Sequence, residues 1–411
     1  MISSLIQRLN YRAGSLAVAV DKKLVYAAGY TWAEPGFPTT MPLSKFRMQS
    51  VSKILTSIGI FRRISGGMLT REDKVVEKGN LAPSSQNASN WNQLKLKHLF
   101  MHQVNWGIDA YHFDEKSAWE WLDAEVGTDA PVGPPLWSDK LARYLSRAGP
   151  FLTGYVVLDY NNTNYLLLGH ILEQHTFQKY PTWIRGNVWA NVGVPVSADP
   201  LRVWMSGLHP TTLEVNGLAL PLEVPPDHPK PTVVPVRWDK TRLEELPFHV
   251  NPRTTGPYGG WLTAPLDVVR VLDALGGSDA YLSNKLMTRA ARDEMWGFVA
   301  SSKGSAPLTP TPVMNVVSPG GWSKTGPRLG HGGSGFGGVS TAVRFHDKKL
   351  SYCVAFNIWV PQNTIWNTAT MLPLSLGRIE VLEDKIFDVQ DAGGFSGPDL
   401  WPAAGITEPI G

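Results

Sequence analysis

The chain has 411 residues, 43% apolar and 18% charged, which excludes a disordered protein and leaves room for a sizeable core in one large domain or two. A net charge of +3 with no lysine or arginine block gives no footprint for nucleic acid, so a small-molecule or peptide partner is expected. A single cysteine, Cys353, rules out an intramolecular disulfide.

From the amino end, Arg8 and Arg12 interrupt what would be the apolar core of a signal peptide, and no uncharged apolar run reaches the roughly 18 residues of a membrane-spanning helix. A cytoplasmic protein is therefore expected, a mature exported chain being the alternative. The runs GSLAVAV (14–20) and KLVYAAGY (23–30), parted by Asp21 and Lys22, predict an antiparallel hairpin. In KFRMQSVSKILTSIGIFRRISGG (45–67), apolar residues recur every three or four positions after Ser50, and Gly66-Gly67 supplies a stop, which predicts a helix. A further helix is expected in YNNTNYLLLGHILEQH, where asparagine and threonine are ordinary capping residues. Ten prolines between 200 and 252 forbid long helices and central strands in 198–255, which reads as an irregular insertion beside a cleft or as a surface excursion. Late in the chain, VSTAVRF (339–345) and KLSYCVAFNIW (349–359) flank His346-Asp347-Lys348 as a second hairpin, with Cys353 expected to be a buried inert thiol. TIWNTATMLPLSLGRIEVL follows as a helix despite Pro373, and the tail from about 385 has no periodicity. Strands at both ends predict one sheet assembled from both termini.

Three short motifs carry chemistry. Lys53 stands three residues after Ser50, on the same helical face, where a lysine held in apolar surroundings can take the serine proton and make the hydroxyl a nucleophile. The free N–H groups at the helix start favour the negative charge that develops there. Ser52 is the rival, but it adjoins Lys53 and points elsewhere. In the second motif Tyr160 precedes the helix, where a nearby cation can make a phenol an acid or base, and Asn162 offers an acceptor and donors to a lysine or a substrate carbonyl. In the third, GHGGSGFGGVSTAVRF, five glycines within 332–338 imply close backbone approach, and the amide of Ser334 can complete an oxyanion hole with that of Ser50.

Serine with lysine, then tyrosine-x-asparagine, then His331-x-Gly333 before a late strand resembles the serine β-lactamase and penicillin-binding-protein superfamily, most closely its class C β-lactamase, D-aminopeptidase and esterase branch. RISGGMLTREDKV (63–75), LKLKHLFMHQVNWGI (94–108) and YGGWLTAPLDVVRVLDAL (258–275) are similar to further segments of that family, so the likeness runs from about 14 to 375. The resemblance implies an α+β fold, with a central antiparallel sheet flanked by helices plus a mainly helical lobe. One catalytic unit would comprise an α/β lobe (1–69 and 255–380), a helical lobe with the proline-rich insertion (70–254) and a tail (381–411). It implies catalytic roles for Ser50, Lys53 and Tyr160, and positioning of lysine and substrate by Asn162, His331, Gly333 and Ser334. The activity implied is hydrolysis of an ester or amide through an acyl-serine, with no cofactor or metal. Alternatives are an acyltransferase using the same acyl-enzyme, β-lactamase or D-amino-acid peptidase activity, and a non-catalytic penicillin-binding-like scaffold.

A literal Lys324-Thr325-Gly326 also occurs, but the family's triplet leads almost at once into phenylalanine-glycine and a strand, as His331 does through Phe336-Gly337. A neutral histidine holds a substrate carboxylate less firmly than a lysine, which favours esters or amides without that anion over penicillin-type substrates. His98 and His102 have the spacing of a zinc pair but lack the glutamate of H-E-x-x-H, and are expected to be structural. HGG at 331 is also similar to a lipase oxyanion motif, but no G-x-S-x-G accompanies it.

Overall fold

The computed structural model describes residues 13–31, 39–83, 85, 88–105, 150–152, 161–199, 202–205, 236–238, 243–245, 256–296, 328–335, 338–356, 366–367, 372–373 and 379–411. Its main sheet uses five strands: β1 (Ala13–Val20), β2 (Lys23–Thr31), β3 (Arg328–Gly335), β4 (Gly338–Phe345) and β5 (Leu350–Phe356). The order is β3-β4-β5-β1-β2, every neighbour antiparallel, so the amino-terminal hairpin joins the late one through β1 and β5. This is the α+β sheet built from both termini that the two hairpins predict.

Alternation along the strands sorts side chains by size. Ala17, Ala19, Ala342, Cys353 and Ala355 lie in one core cluster, whereas Leu16, Val18, Val343, Phe345, Tyr352, Val354 and Phe356 lie in another. Period-two alternation places these two sets on opposite faces. The small inner residues give room for a helix to sit close to the sheet. That helix is α3 (Pro265–Ala274), which shares its core with α1 (Ser52–Ser65) and α2 (Asn162–Thr176), while α4 (Ile379–Asp391) covers the outer face through Leu382 and Ile386. Burial drives the Cys353 thiol upward, in keeping with an inert side chain. Helix α1 is buried on every side from Ser52 to Phe61, which is why an almost continuous apolar run follows its polar entry.

Two local expectations differ from the structure. His331-Gly332-Gly333, expected to stand just before the strand at 339–345, lies within an edge strand of its own, β3, because glycine weakens a strand without forbidding it and pairing with β4 supplies the ladder. Where a helix is expected from 364, Trp366–Asn367 and Leu372–Pro373 pair as short strands, as Pro373 can sit in an edge but not within a helix, and the described helix is Ile379–Asp391, which runs into the tail expected to lack periodicity from about 385. Most of 198–255 lies outside the described residues, as do Arg8 and Arg12.

The aperiodic carboxy-terminal residues are packed rather than loose. Trp401 is buried, its indole N–H donates to Lys22 O at 3.0 Å, and the Leu400 amide donates to Leu24 O at 2.9 Å. The Arg270 guanidinium lies 5.2 Å from the indole centroid. Trp401→Ala should therefore cost about 3–5 kcal/mol of stability, from lost burial and the cavity left behind. Denaturant unfolding that shows under about 1 kcal/mol would contradict this packing role.

Candidate active site

Ser50 stands in a single 3-10 turn, Gln49–Val51, that leads directly into α1. The turn is tightly held. Gln49 takes a left-handed φ of 46°, the Met48 N–H donates to Trp261 O at 2.9 Å, and Met48 O accepts the Ser340 hydroxyl at 2.8 Å. Pairing of β3 with β4 sets Gly333 opposite Ser340 and His331 opposite Ala342, which places both on the inner face. A Cβ on Gly333 would stand 2.5 Å from Met48 O and 3.0 Å from Gln49 Cβ. Glycine is thus required there for the edge strand to reach the turn that carries Ser50.

Lys53 is fully buried, an unusual place for an ammonium-bearing side chain. Its Nζ donates to Ser50 Oγ at 2.9 Å, to Asn162 Oδ1 at 2.5 Å and to Tyr258 O at 3.3 Å. The rings of Tyr165 and Tyr258 lie 5.7 and 5.4 Å from the nitrogen. Tyr258 O is held in place from below. One turn after Lys53, the Thr56 hydroxyl donates to Pro257 O at 2.5 Å and meets the Tyr180 hydroxyl at 2.6 Å, which also accepts the Trp261 indole N–H at 3.2 Å. Gly169 of α2 admits Pro257, whose Cγ would stand 2.1 Å from a Cβ at that position. The structure therefore brings Ser50, Lys53 and Asn162 together from chain positions over a hundred residues apart.

The other sequence candidates fall as follows. Ser52 is fully buried and its Oγ accepts the Trp261 amide at 3.2 Å, a structural contact. His331 is buried; burial first, and the Lys53 charge second, lower its pKa to about 3, so it is neutral at pH 7. Its Nδ1 contacts Gly332 O. Ser334 lies on β3 opposite Val339. Tyr160 and Lys324 lie outside the described residues. His98 and His102 each accept backbone N–H groups at Nδ1, from Lys95 and Asn161 respectively, both at 3.1 Å. Among the described residues no group of three or more His, Cys, Asp or Glu is placed to hold a metal ion, and no helix is long and apolar enough to cross a membrane.

Sequence reasoning missed the Tyr258 carbonyl and Ser340, and singled out His102 only as a structural histidine. A backbone carbonyl leaves no mark in a sequence, and a buried serine or histidine is told from a surface one only by its neighbours.

A buried neutral histidine makes stability depend on acid. Below its unfolded pKa near 6.5 the unfolded chain binds a proton that native His331 refuses until about pH 3, so stability falls as pH falls through that window. From pH 7 to pH 5 His331 should account for about 2 kcal/mol of lost stability. Denaturant midpoints at both values should converge in His331→Asn relative to wild type; an identical acid loss in the two proteins would refute it.

The family model described as Beta-lactamase matches residues 2–368. Among solved structures, the chain is similar to the octameric penicillin-binding protein homologue from Pyrococcus abyssi, with a TM-score of 0.58 and 19% identity over 93% of this chain and 76% of that one. It is also similar to the D-amino acid amidase from Ochrobactrum anthropi SV3, with a TM-score of 0.59 and 15% identity over 95% of this chain and 100% of that one. The D-stereospecific amidohydrolase from Streptomyces sp. gives 0.57 and 15%, over 92% and 98%. At these identities the likeness to the solved structures is one of fold.

Proposed function

The chain belongs to the Beta-lactamase family, and from that premise we propose that it is a serine hydrolase cleaving small amides or esters through an acyl-enzyme on Ser50. The observation that carries this reading is the 2.9 Å contact between the Ser50 hydroxyl and a fully buried Lys53 amine.

Once deprotonated, Lys53 can keep N–H bonds on Asn162 Oδ1 and Tyr258 O, turn its lone pair to Ser50 in place of the N–H it donates there, and accept the hydroxyl proton. Ser50 Oγ then bonds to the acyl carbon, and the developing oxyanion is held by the amides of Ser50 and Ser334. As the bond to the leaving amine or alcohol breaks, Tyr160 supplies its proton. Water next attacks the acyl carbon, loses a proton to the same groups, and releases the acid while Ser50 regains its hydrogen. Asn162 keeps Lys53 oriented, and Gly333 keeps the edge strand against the nucleophile turn.

His331 supports a substrate preference. An imidazole neutral at pH 7 offers no fixed cation to a carboxylate, so esters and amides without that anion should be turned over better than penicillins or cephalosporins. Esterase-like activity is our first choice, and the amidase names of similar structures make amino acid amides the natural second group to try. Intact mass after exposure to p-nitrophenyl esters, D- and L-phenylalanine amide and nitrocefin tests the reading. One acyl adduct on Ser50 is expected, and its absence with every substrate would overturn the proposal.

The same panel tests the third motif. His331→Ala should lower kcat/KM by about ten- to a hundredfold, roughly 1.4–2.7 kcal/mol, through lost positioning, while Lys324→Ala should stay within a few-fold of wild type. A severe defect in Lys324→Ala beside a silent His331→Ala, or efficient cephalosporin hydrolysis, would reverse both the motif assignment and the substrate preference.

A further inference from the structure

His102 has no role in the chemistry above, yet it sits directly behind it. It is buried, its backbone takes a left-handed φ of 48°, and its ring lies 5.4 Å from that of Tyr165, the same ring that lies against Lys53. Its Nδ1 accepts the Asn161 backbone N–H at 3.1 Å and the Asn164 side-chain amide at 3.1 Å. Two donors converging on one ring nitrogen require its lone pair, so the proton of the neutral ring resides on Nε2. These two asparagines flank Asn162, whose Oδ1 meets Lys53 Nζ. Asn161 also caps α2, its Oδ1 accepting the Thr163 amide at 2.8 Å.

We propose that His102 is a positioning residue for acyl transfer, which fixes the Asn161–Asn164 turn and thereby holds Asn162 on Lys53. The proposal rests on the reading of Ser50 and Lys53 as the acylation pair. Chemistry accounts for histidine there. The position needs an acceptor for two N–H groups within a short distance of a buried amine. An aspartate would accept both but would bring a counter-charge that holds Lys53 as an ammonium, unable to take the serine proton. A neutral imidazole accepts without that charge, and burial together with Lys53 and His331 lowers its pKa well below the ordinary value. Histidine and asparagine are also among the side chains that tolerate a left-handed backbone.

That last point supplies a clean pair of variants. His102→Asn keeps the backbone conformation and an acceptor near the Nδ1 position, whereas His102→Gly keeps the backbone and removes the acceptor. In crystal structures, the Lys53–Asn162 contact should persist in His102→Asn and open beyond about 3.5 Å in His102→Gly. With p-nitrophenyl acetate, His102→Gly should lose about ten- to a hundredfold in kcat with KM within about twofold, and His102→Asn should recover to within about fivefold of wild type. A contact that stays closed in His102→Gly overturns the proposal, as does an Asn variant that folds cooperatively yet is as impaired as the Gly variant. Should His102→Gly not fold, Asn164→Ala removes one donor and leaves the ring; it must then open the same contact, and a closed one overturns the proposal. Wild-type protein that forms no acyl adduct with any substrate would sink the hydrolase reading, while the crystal contrast would still decide the role of His102.

Discussion

Ser50→Ala should abolish acyl transfer, while Ser52→Ala retains most of it. The two hydroxyls are two residues apart but do different work. Ser50 Oγ takes the Lys53 contact at 2.9 Å at the mouth of α1, whereas Ser52 Oγ is fully buried and accepts the Trp261 amide at 3.2 Å. Losing the nucleophile removes the step on which all others depend, so kcat should fall by on the order of 10⁴-fold or more, to the background left by binding and the oxyanion site. Losing Ser52 leaves a buried backbone N–H without its serine acceptor, which should cost about 1–3 kcal/mol of stability and little activity. Intact mass and steady-state kinetics on folded variants separate the two, and equal loss of turnover from both would refute the assignment.

Lys53→Met should be nearly as severe, with kcat down by on the order of 10²–10⁴-fold, the range of a positioned general base. Methionine has a similar length and suits apolar surroundings, so the substitution removes the amine and its bonds to Ser50, Asn162 and Tyr258 while the buried volume stays close to native. Pre-steady-state release of p-nitrophenol should show that acylation itself has slowed. A Lys53→Met protein that acylates at the wild-type rate would show that another group takes the Ser50 proton.

Much of this arrangement could be read from local pattern. The hairpins at 14–30 and 339–359 were readable because strands with a buried face alternate at period two and because Asp21-Lys22 and His346-Asp347-Lys348 break the alternation. Helix α1 was readable from its apolar spacing and its glycine stop, and Ser50 with Lys53 followed from one helical turn. Local signal has limits with a physical cause. Five glycines within 332–338 imply close backbone approach, as Gly333 makes to Met48 O, but not that 328–335 is itself a strand, since only β4 supplies the ladder that recruits it as an edge. The segment after 360 carries helix-like spacing, yet Trp366–Asn367 and Leu372–Pro373 pair as strands, since Pro373 is barred from a helix interior.

The order and spacing of the three motifs, and with them the family and the candidate nucleophile, were determined by the sequence alone, since they depend on contacts within one turn of helix or on linear position. Only tertiary structure decided that Asn162 meets Lys53, that the Tyr258 carbonyl completes the contacts of the buried amine, that Ser52 is occupied by Trp261, and that His102 braces the second motif. Each of these joins residues at least 59 positions apart. Such pairings are set by how helices and sheet pack around a common core, and that packing is a property of the whole chain that no local window of sequence contains.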